Sequence, residues 1–387
     1  MKKLLITAFI GSANLGDNAI FVAISQHLLS NKTISLSAFT SNIRRHTHME
    51  PVRFIQTINP IRIISEIARC DLLVIGGGGI IQDETTAYNL IRHTYKALIA
   101  ILLRKKFMFY AVGVSRLRSL VNRMLARFVL ERAVAVTVRD EESKNIIRSL
   151  GVDREVFVTA DPVVNLRINK LAPFPKSPKR YIVVCLRHWF DINRYIPVAV
   201  VNKIHYRSQT NKKKYEAFLA VIAPFFDWLV SRYNYTIMFM PFFDQRDDVV
   251  HADVMKHMKQ PDSCINIGRQ PSLEEVYTRI AGASFVLGMR LHSLIISSTQ
   301  NTPFIALTYA RKVSSFVDEL SLSTYSLGLE KLTVSELEDV CIKLHSERTH
   351  IQSTLKRRLA VLQRREKSNV RILRKVLTAA SILPQEC

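Results

Sequence analysis

Acidic residues are scarce in this chain: 32 Asp and Glu stand against 55 Lys and Arg over 387 residues, a formal net charge of +23. That balance points to anionic partners, namely phosphates, acidic glycans, nucleic acid or an anionic lipid surface, and charge alone does not choose among them. Cysteine is sparse too. Cys70, Cys185, Cys264, Cys341 and Cys387 are scattered, odd in number and without a Cys-x-x-Cys pair. This argues against a disulfide framework and a thiolate zinc site, and fits a reducing cytoplasm. His46 and His48 have no third ligand at metal spacing, so no metal and no cofactor are expected. No run approaches the roughly 18 apolar residues of a spanning helix. The longest candidate, Ala97 to Leu103, stops at Arg104-Lys105-Lys106. The opening Met1-Lys2-Lys3 and Leu4 to Ile10 has features of a secretion signal, but it runs directly into a glycine turn and a helix pattern, and reads as folded protein. A cytoplasmic protein is expected.

What the chain does have is alternation. Apolar runs of strand length recur with helix-period segments between them, the pattern of βαβ units around a mostly parallel sheet. In the first half the strand candidates are Lys3 to Phe9, Ser35 to Phe39, Asp71 to Ile75, Phe107 to Val112, Ala133 to Val138 and Val156 to Ala160. Asp17 to Leu29 and Leu117 to Arg132 are helix candidates among them. Pro173, Pro175 and Pro178 among lysines mark a linker. A second series follows: Tyr181 to Leu186, Thr236 to Met240, Cys264 to Ile267, Phe285 to Leu287 and Phe304 to Leu307. The expected architecture is α/β, with two Rossmann-like domains facing a cleft and a long basic C-terminal helix. The boundaries drawn are 1–170, a linker at 171–180, 181–345, and the helix at 346–387. The polar and aromatic segment from Arg187 to Tyr215 reads as a flexible flap beside the cleft. From Ile351 onward, Leu355, Leu359, Leu362, Val370, Leu373 and Leu377 return to one helix face among many arginines and lysines. Such a stripe packs on the body or, with its basic flank, adheres to an anionic membrane.

Chemistry is concentrated where runs end. Phe285-Val286-Leu287 leads into Gly288-Met289-Arg290-Leu291-His292, and Phe304 to Leu307 leads into Thr308-Tyr309-Ala310-Arg311-Lys312. Strand ends of open α/β sheets bind ligands, and arginine grips carboxylate or phosphate by paired hydrogen bonds while histidine can move a proton near neutral pH. Arg139 and Arg187 close strands in the same way, and anion binding is expected of both; Asp140 to Glu142 beside Arg139 suit a helix's first turn. His188 reads as a hydrogen-bonded structural residue. Two glycine turns are expected on the other side of the cleft, one with Gly11, Asn14, Gly16 and Asp17, the other at Gly76-Gly77-Gly78-Gly79. Asp17 either caps the helix or binds ligand. Neither turn has the dinucleotide spacing or the Gly-Lys-Ser/Thr form of a P-loop.

Taken in order, Asn14-Leu15-Gly16-Asp17-Asn18-Ala19-Ile20, the Asp71 to Gly79 turn, Val138 to Ser143, Thr159-Ala160-Asp161-Pro162, Arg187-His188-Trp189, Gly288 to His292 and Tyr309 to Val313 resemble the polysaccharide pyruvyl transferase family. The resemblance runs from about Leu4 to Val317. It implies a GT-B-like fold and transfer of the enolpyruvyl group of phosphoenolpyruvate to sugar hydroxyls as a ketal, with phosphate released. Carried over by position, His292 becomes the catalytic histidine, and Arg139, Arg290 and Lys312, with Arg187 beside them, the donor's anion binders. Asn18 and Ala310 depart from the family pattern where acidic or polar residues are usual. The implied acceptor is a saccharide of a polysaccharide or lipid-linked precursor, a lipid diphosphate carrier being one alternative. That carrier would set the protein peripherally at the inner face of an anionic membrane. The rival is a GT-B glycosyltransferase using a nucleotide sugar. A nucleic-acid binder is not favoured, because no nucleic-acid module is recognisable.

Overall fold

Short, β-branched-rich runs followed by amphipathic segments fold as parallel strands joined by helices, since each crossover must return over the sheet face. The computed structural model describes residues 1–30, 32–43, 51–83, 88–168, 174, 180–188, 209–243 and 246–378. The first half contains β1 (Lys2–Thr7), α1 (Leu15–Leu29), β2 (Ile34–Thr40), β3 (Arg53–Gln56), α2 (Pro60–Arg69), β4 (Leu72–Ile81), α3 (Asn89–Leu102), β5 (Phe107–Val114), α4 (Leu120–Arg132), β6 (Ala135–Val138), α5 (Glu141–Ser149) and β7 (Val156–Val158). Its strands lie in the order β3-β2-β1-β4-β5-β6-β7, all parallel.

The second half repeats the plan. It contains β8 (Tyr181–Cys185), α6 (Gln209–Tyr233), β9 (Thr236–Phe239), α7 (Asp247–His257), β10 (Cys264–Asn266), α8 (Leu273–Gly282), β11 (Val286–Gly288), α9 (Leu291–Thr299), β12 (Phe304–Thr308), α10 (Arg311–Glu319) and β13 (Ser326–Gly328). Strand order is β10-β9-β8-β11-β12-β13, again parallel. Two helices follow, α11 (Val334–Ser346) and α12 (Arg348–Thr378). Two parallel α/β sheets with this connectivity are the GT-B-like architecture expected.

The second core face explains the composition of α1 and α12. Helix α1 buries residues on two sides because β2 and β4 lie under one, while the Pro162–Asn165 turn and α9 cover the other. Helix α12 buries Ile351, Leu355, Leu359, Leu362 and Leu373, so its apolar stripe packs on the body. It also returns to the first sheet, where the buried Asn369 accepts hydrogen bonds from Thr137 Oγ1 at 2.6 Å and Thr159 Oγ1 at 2.9 Å. Glu366, fully buried, accepts from Asn165 at 2.5 Å and faces His27 Nδ1 at 3.3 Å. These polar pairs fix where the helix lies, because any slip would leave them unsatisfied.

Three local expectations fail for physical reasons. The four glycines are not a turn: β4 continues through them to Ile81, and a register shift between Gly78 and Ile81 makes a bulge, with Gly77 and Gly78 at φ +70° and +82°. Helix α1 opens at Leu15 rather than Asp17, because Asn14 is its cap, accepting from Gly16 N at 3.1 Å. The segment read as a flap, Arg187 to Tyr215, already becomes helix α6 at Gln209, while 189–208 lie outside the described residues. The proline linker and His46 and His48 also lie outside them, except Phe174 and Arg180.

Candidate active site

Each sheet reverses its strand order once, between β1 and β4 in the first and between β8 and β11 in the second. Ligands of open α/β sheets bind outside the carboxyl ends of strands at such reversals, where neighbouring connections leave in opposite directions. The chain puts its chemistry there. Asn14 and Asp17 follow β1, Gly78 and Gly79 end the bulge of β4, Arg187 follows β8, and Arg290 and His292 follow β11. With Arg139, Phe242, Leu291, Tyr309 and Lys312 they line one open pocket. Nine of the expected residues therefore meet: His292, Arg139, Arg187, Arg290, Lys312, Asn14, Asp17, Gly78 and Gly79.

Gly11, Gly16 and Gly77 do not line the pocket. Gly11 makes a turn at φ +81°, and Gly77 lets α1 press onto β4, since a Cβ there would stand 2.0 Å from Ile20 Cγ2. Gly16 has a closer bearing on chemistry. A Cβ at this position would lie 2.1 Å from Nδ1 of His292, so the first turn of α1 and the imidazole occupy adjoining space. Gly113 does the same for Arg139, whose guanidinium would meet its Cβ at 2.7 Å.

Four cations face the pocket, and three are held by carboxylate or phenol. Arg290 gives Nε to Asp247 Oδ2 at 3.0 Å and Nη2 to Oδ1. Asp247 is fully buried and also accepts from the amides of Phe242 and Phe243 at 3.1 and 2.9 Å. Arg139 pairs with Asp161 at 3.4 Å and with Asp140 at 3.3 Å. Arg187 donates to the Tyr309 hydroxyl. Lys312 stands exposed at the mouth. Helices α9 and α10 both begin at this pocket with no side-chain cap, at Arg290 and Ala310, so their first amides add partial positive charge. Ala310, a departure from the family pattern, is thus the residue that leaves the end of α10 open.

Two carboxyls interact with His292, and they differ. Its Nε2 lies 3.6 Å from Asp161 Oδ2, and its side chain keeps 12% of its surface, so the imidazole is not sealed inside. Burial pushes the Asp161 carboxyl up, but His292 and Arg139 outweigh it and hold the group below the usual carboxylate range. Asp17 moves the other way: burial raises it, against the pull of His292, Lys312 and the hydrogen bonds of Ser12 and Asn14. The two carboxyls beside the imidazole are thus shifted in opposite directions. Burial would raise Tyr309 as well, yet Arg187, Lys312 and Arg290 bring its phenol down to about 7.

Asp247, Phe242 and Gly113 were not singled out by sequence reasoning, and Tyr309 was named only within a strand-end motif, without an assigned role. Arg246-Asp247-Asp248 looks like the acidic first turn of a helix, and it is one; only the fold shows Asp247 turned back onto Arg290. Asp161 lay within a recognised motif at a strand end without an assigned role. The halves meet at the site itself: Leu15 N donates to Phe242 O at 2.8 Å, Gln270 Nε2 to Ala13 O at 2.7 Å, and Arg311 Nε reaches Glu142 at 2.5 Å. His188 stacks on Tyr215 at 5.0 Å.

A family model described as polysaccharide pyruvyl transferase matches residues 14–311. No curated protein sequence matches the chain. Solved structures of similar fold include UDP-GlcNAc 2-epimerase from Neisseria meningitidis bound to UDP-GlcNAc, at 13% identity and TM-score 0.62, covering 97% of this chain and 99% of that one. An S. aureus MnaA structure with UDP is 13% identical at TM-score 0.61, covering 92% and 91%. Anabaena HepE in complex with UDP and glucose is 10% identical at TM-score 0.61, covering 98% and 100%. At such identities the likeness is one of fold.

Proposed function

Because the chain belongs to the polysaccharide pyruvyl transferase family, we propose that it moves the enolpyruvyl group of phosphoenolpyruvate onto two hydroxyls of a saccharide, forming a pyruvate ketal and releasing phosphate. The observation that carries this reading is the convergence of Arg139, Arg187, Arg290 and Lys312 on one pocket beside His292. Phosphoenolpyruvate presents about three negative charges on a three-carbon frame, and paired guanidiniums with an ammonium neutralise such a compact anion.

The chemistry needs protons moved in order. Protonating the methylene carbon makes an oxocarbenium-like centre, and the first hydroxyl adds to it and loses its proton. Phosphate then leaves with the electrons of its C–O bond, and the second hydroxyl closes the ring and loses its proton. Of the two hydroxyl protons, one ends on carbon and one on phosphate. His292 is the group assigned to carry them, with Asp161 orienting the ring and stabilising its charged form, and Asp17 on the acceptor side.

The acceptor belongs to this reading as a saccharide of a polysaccharide or its lipid-diphosphate-linked precursor, met at the inner face of a membrane. The rival donor, a nucleotide sugar, draws on the fold shared with UDP-bound structures. Thermal stabilisation by phosphoenolpyruvate and not by UDP-sugars decides between them. His292→Ala should lose ~10²- to 10⁴-fold in turnover while phosphoenolpyruvate still stabilises the protein; near-normal turnover would remove the assignment.

A further inference from the structure

Ten of the sixteen large apolar side chains exposed among the described residues lie between 58 and 128. They lie in or just before α2, α3 and α4, neighbouring helices that cover the sheet face opposite α1 and α12. Their inner faces are satisfied, supplying Ile63, Ile67, Leu90, Ala97 and Ala126 to the core. The outer apolar residues are therefore not needed for the fold.

Their placement is not scattered. Ile58, Ile61, Tyr88, Leu120, Val121 and Met124 each keep at least 65% of their surface exposed and sit before or within the first two turns of the three helices; Leu102, also exposed, ends α3 at the other edge. In a parallel sheet, helices begin at the strands' carboxyl edge, so these turns share the edge that carries Gly79 and the cleft. Arginines interleave with them, including Arg62, Arg92, Arg116 and Arg123, all exposed. Carboxylates are nearly absent. The three helices contain only Glu66, held by Arg53, and Glu131, which accepts from the amide of Asp153, and none has an acidic first turn. Helix starts normally favour acids; the start of α4 is served from outside by the buried Asp83, which accepts from the amides of Arg118 and Ser119, while the first turns of α2 and α3 have none.

We propose that the open ends of α2, α3 and α4 form a docking surface for an anionic lipid bilayer. The apolar side chains enter the acyl boundary and the arginines meet lipid phosphates. A second copy of the chain fits less well, because a two-fold contact would set arginines against arginines with few carboxylates among the described residues to answer them. Helix α12 is the lesser surface: it is basic, but its apolar stripe is buried, and Val361 is its one large apolar side chain exposed among the described residues. The docking stands on charge and apolarity alone. Its use, bringing a lipid-carried saccharide to the acceptor side of the cleft, rests on the proposed function.

The test is flotation of the full chain with vesicles of phosphatidylcholine alone or mixed with phosphatidylglycerol. Binding is expected only to the mixed vesicles, weakening with salt. The double variant Ile61→Glu with Met124→Glu should lower binding roughly tenfold or more. Arg116→Ser with Arg123→Ser should lower it as well, providing a second measure if the first pair misfolds. Arg364→Ser with Arg374→Ser on α12 should leave most binding in place. Three results overturn the proposal: unchanged flotation of the first two variants, equal binding to both vesicle types, or a dimer of the native chain that the Ile61 and Met124 changes dissociate. Stabilisation by phosphoenolpyruvate, measured on the same variants without lipid, reports separately on the proposed function.

Discussion

Gly16→Ala tests the seat of the imidazole without touching a charge. The added Cβ would stand 2.1, 2.6 and 2.9 Å from Nδ1, Cγ and Cε1 of His292, all inside contact distance. Ordinary contact begins near 3.4 Å, so the ring or the first turn of α1 must give by about 1.3 Å. The turn is the stiffer of the two, held by the Asn14 cap and by Leu15 N on Phe242 O, and the ring moves. Misplacing a reacting group by about 1 Å costs on the order of 10²-fold in rate, and that is the loss expected in kcat. Stability should change little, by about 1 kcal/mol, because alanine suits a helix start and relieves glycine's entropy. Phosphoenolpyruvate affinity should survive, since the arginines are untouched. The assay pairs pyruvyl transfer followed by mass spectrometry with thermal shift, with Gly328→Ala as control, where a Cβ meets nothing within 4 Å. Turnover within twofold of the native protein would show that His292 does not act from this seat.

Other outcomes follow from the same contacts. Asp247→Ala should cost about 3–5 kcal/mol in chemical denaturation, because it strands the partly buried Arg290, and Asp247→Asn should cost less; a loss under about 1 kcal/mol would contradict the buried-pair reading. With the Tyr309 phenol at about 7, phosphoenolpyruvate affinity should fall as pH rises through that value, since the phenolate competes with the donor for Arg187. Tyr309→Phe should flatten the profile, and a native-like slope in that variant would refute the origin. Asp161, whose folded carboxyl is depressed, stabilises the protein above its unfolded pKa and loses this as pH falls through the folded value; Asp161→Asn should therefore show a shallower acid limb in thermal midpoint against pH. Arg187→Lys should weaken phosphoenolpyruvate binding roughly tenfold by isothermal titration, because a point charge replaces a planar fork.

The sequence was legible where burial on both faces forces continuous apolar runs. Phe107 to Val112 and Tyr181 to Leu186 read as strands because nothing polar can sit in the middle of a covered parallel sheet. It was illegible where an element is short and at an edge: β3 has four residues beginning with Arg53, and β13 is Ser-Leu-Gly, held by pairing to β12 rather than by its own propensity. Glycine misled at Gly76 to Gly79, since the same freedom serves a turn or a bulge, and only the neighbouring β5 decides. At the candidate site, residues at strand ends could be picked out because their position is encoded locally. Asp247 could not, as its contact with Arg290 spans 43 positions and its own surroundings look like an ordinary helix start.

The returning path of α12 sets a condition on how the protein comes into being. Thr137 finds its acceptor 232 positions further along, and Thr159 finds the same one at 210. During synthesis the first lobe must wait with an apolar furrow unfilled while the whole second lobe emerges from the ribosome. Separating the lobes by truncation would make that wait permanent, so the first expressed alone should aggregate unless a peptide spanning 348–378 is supplied to close it.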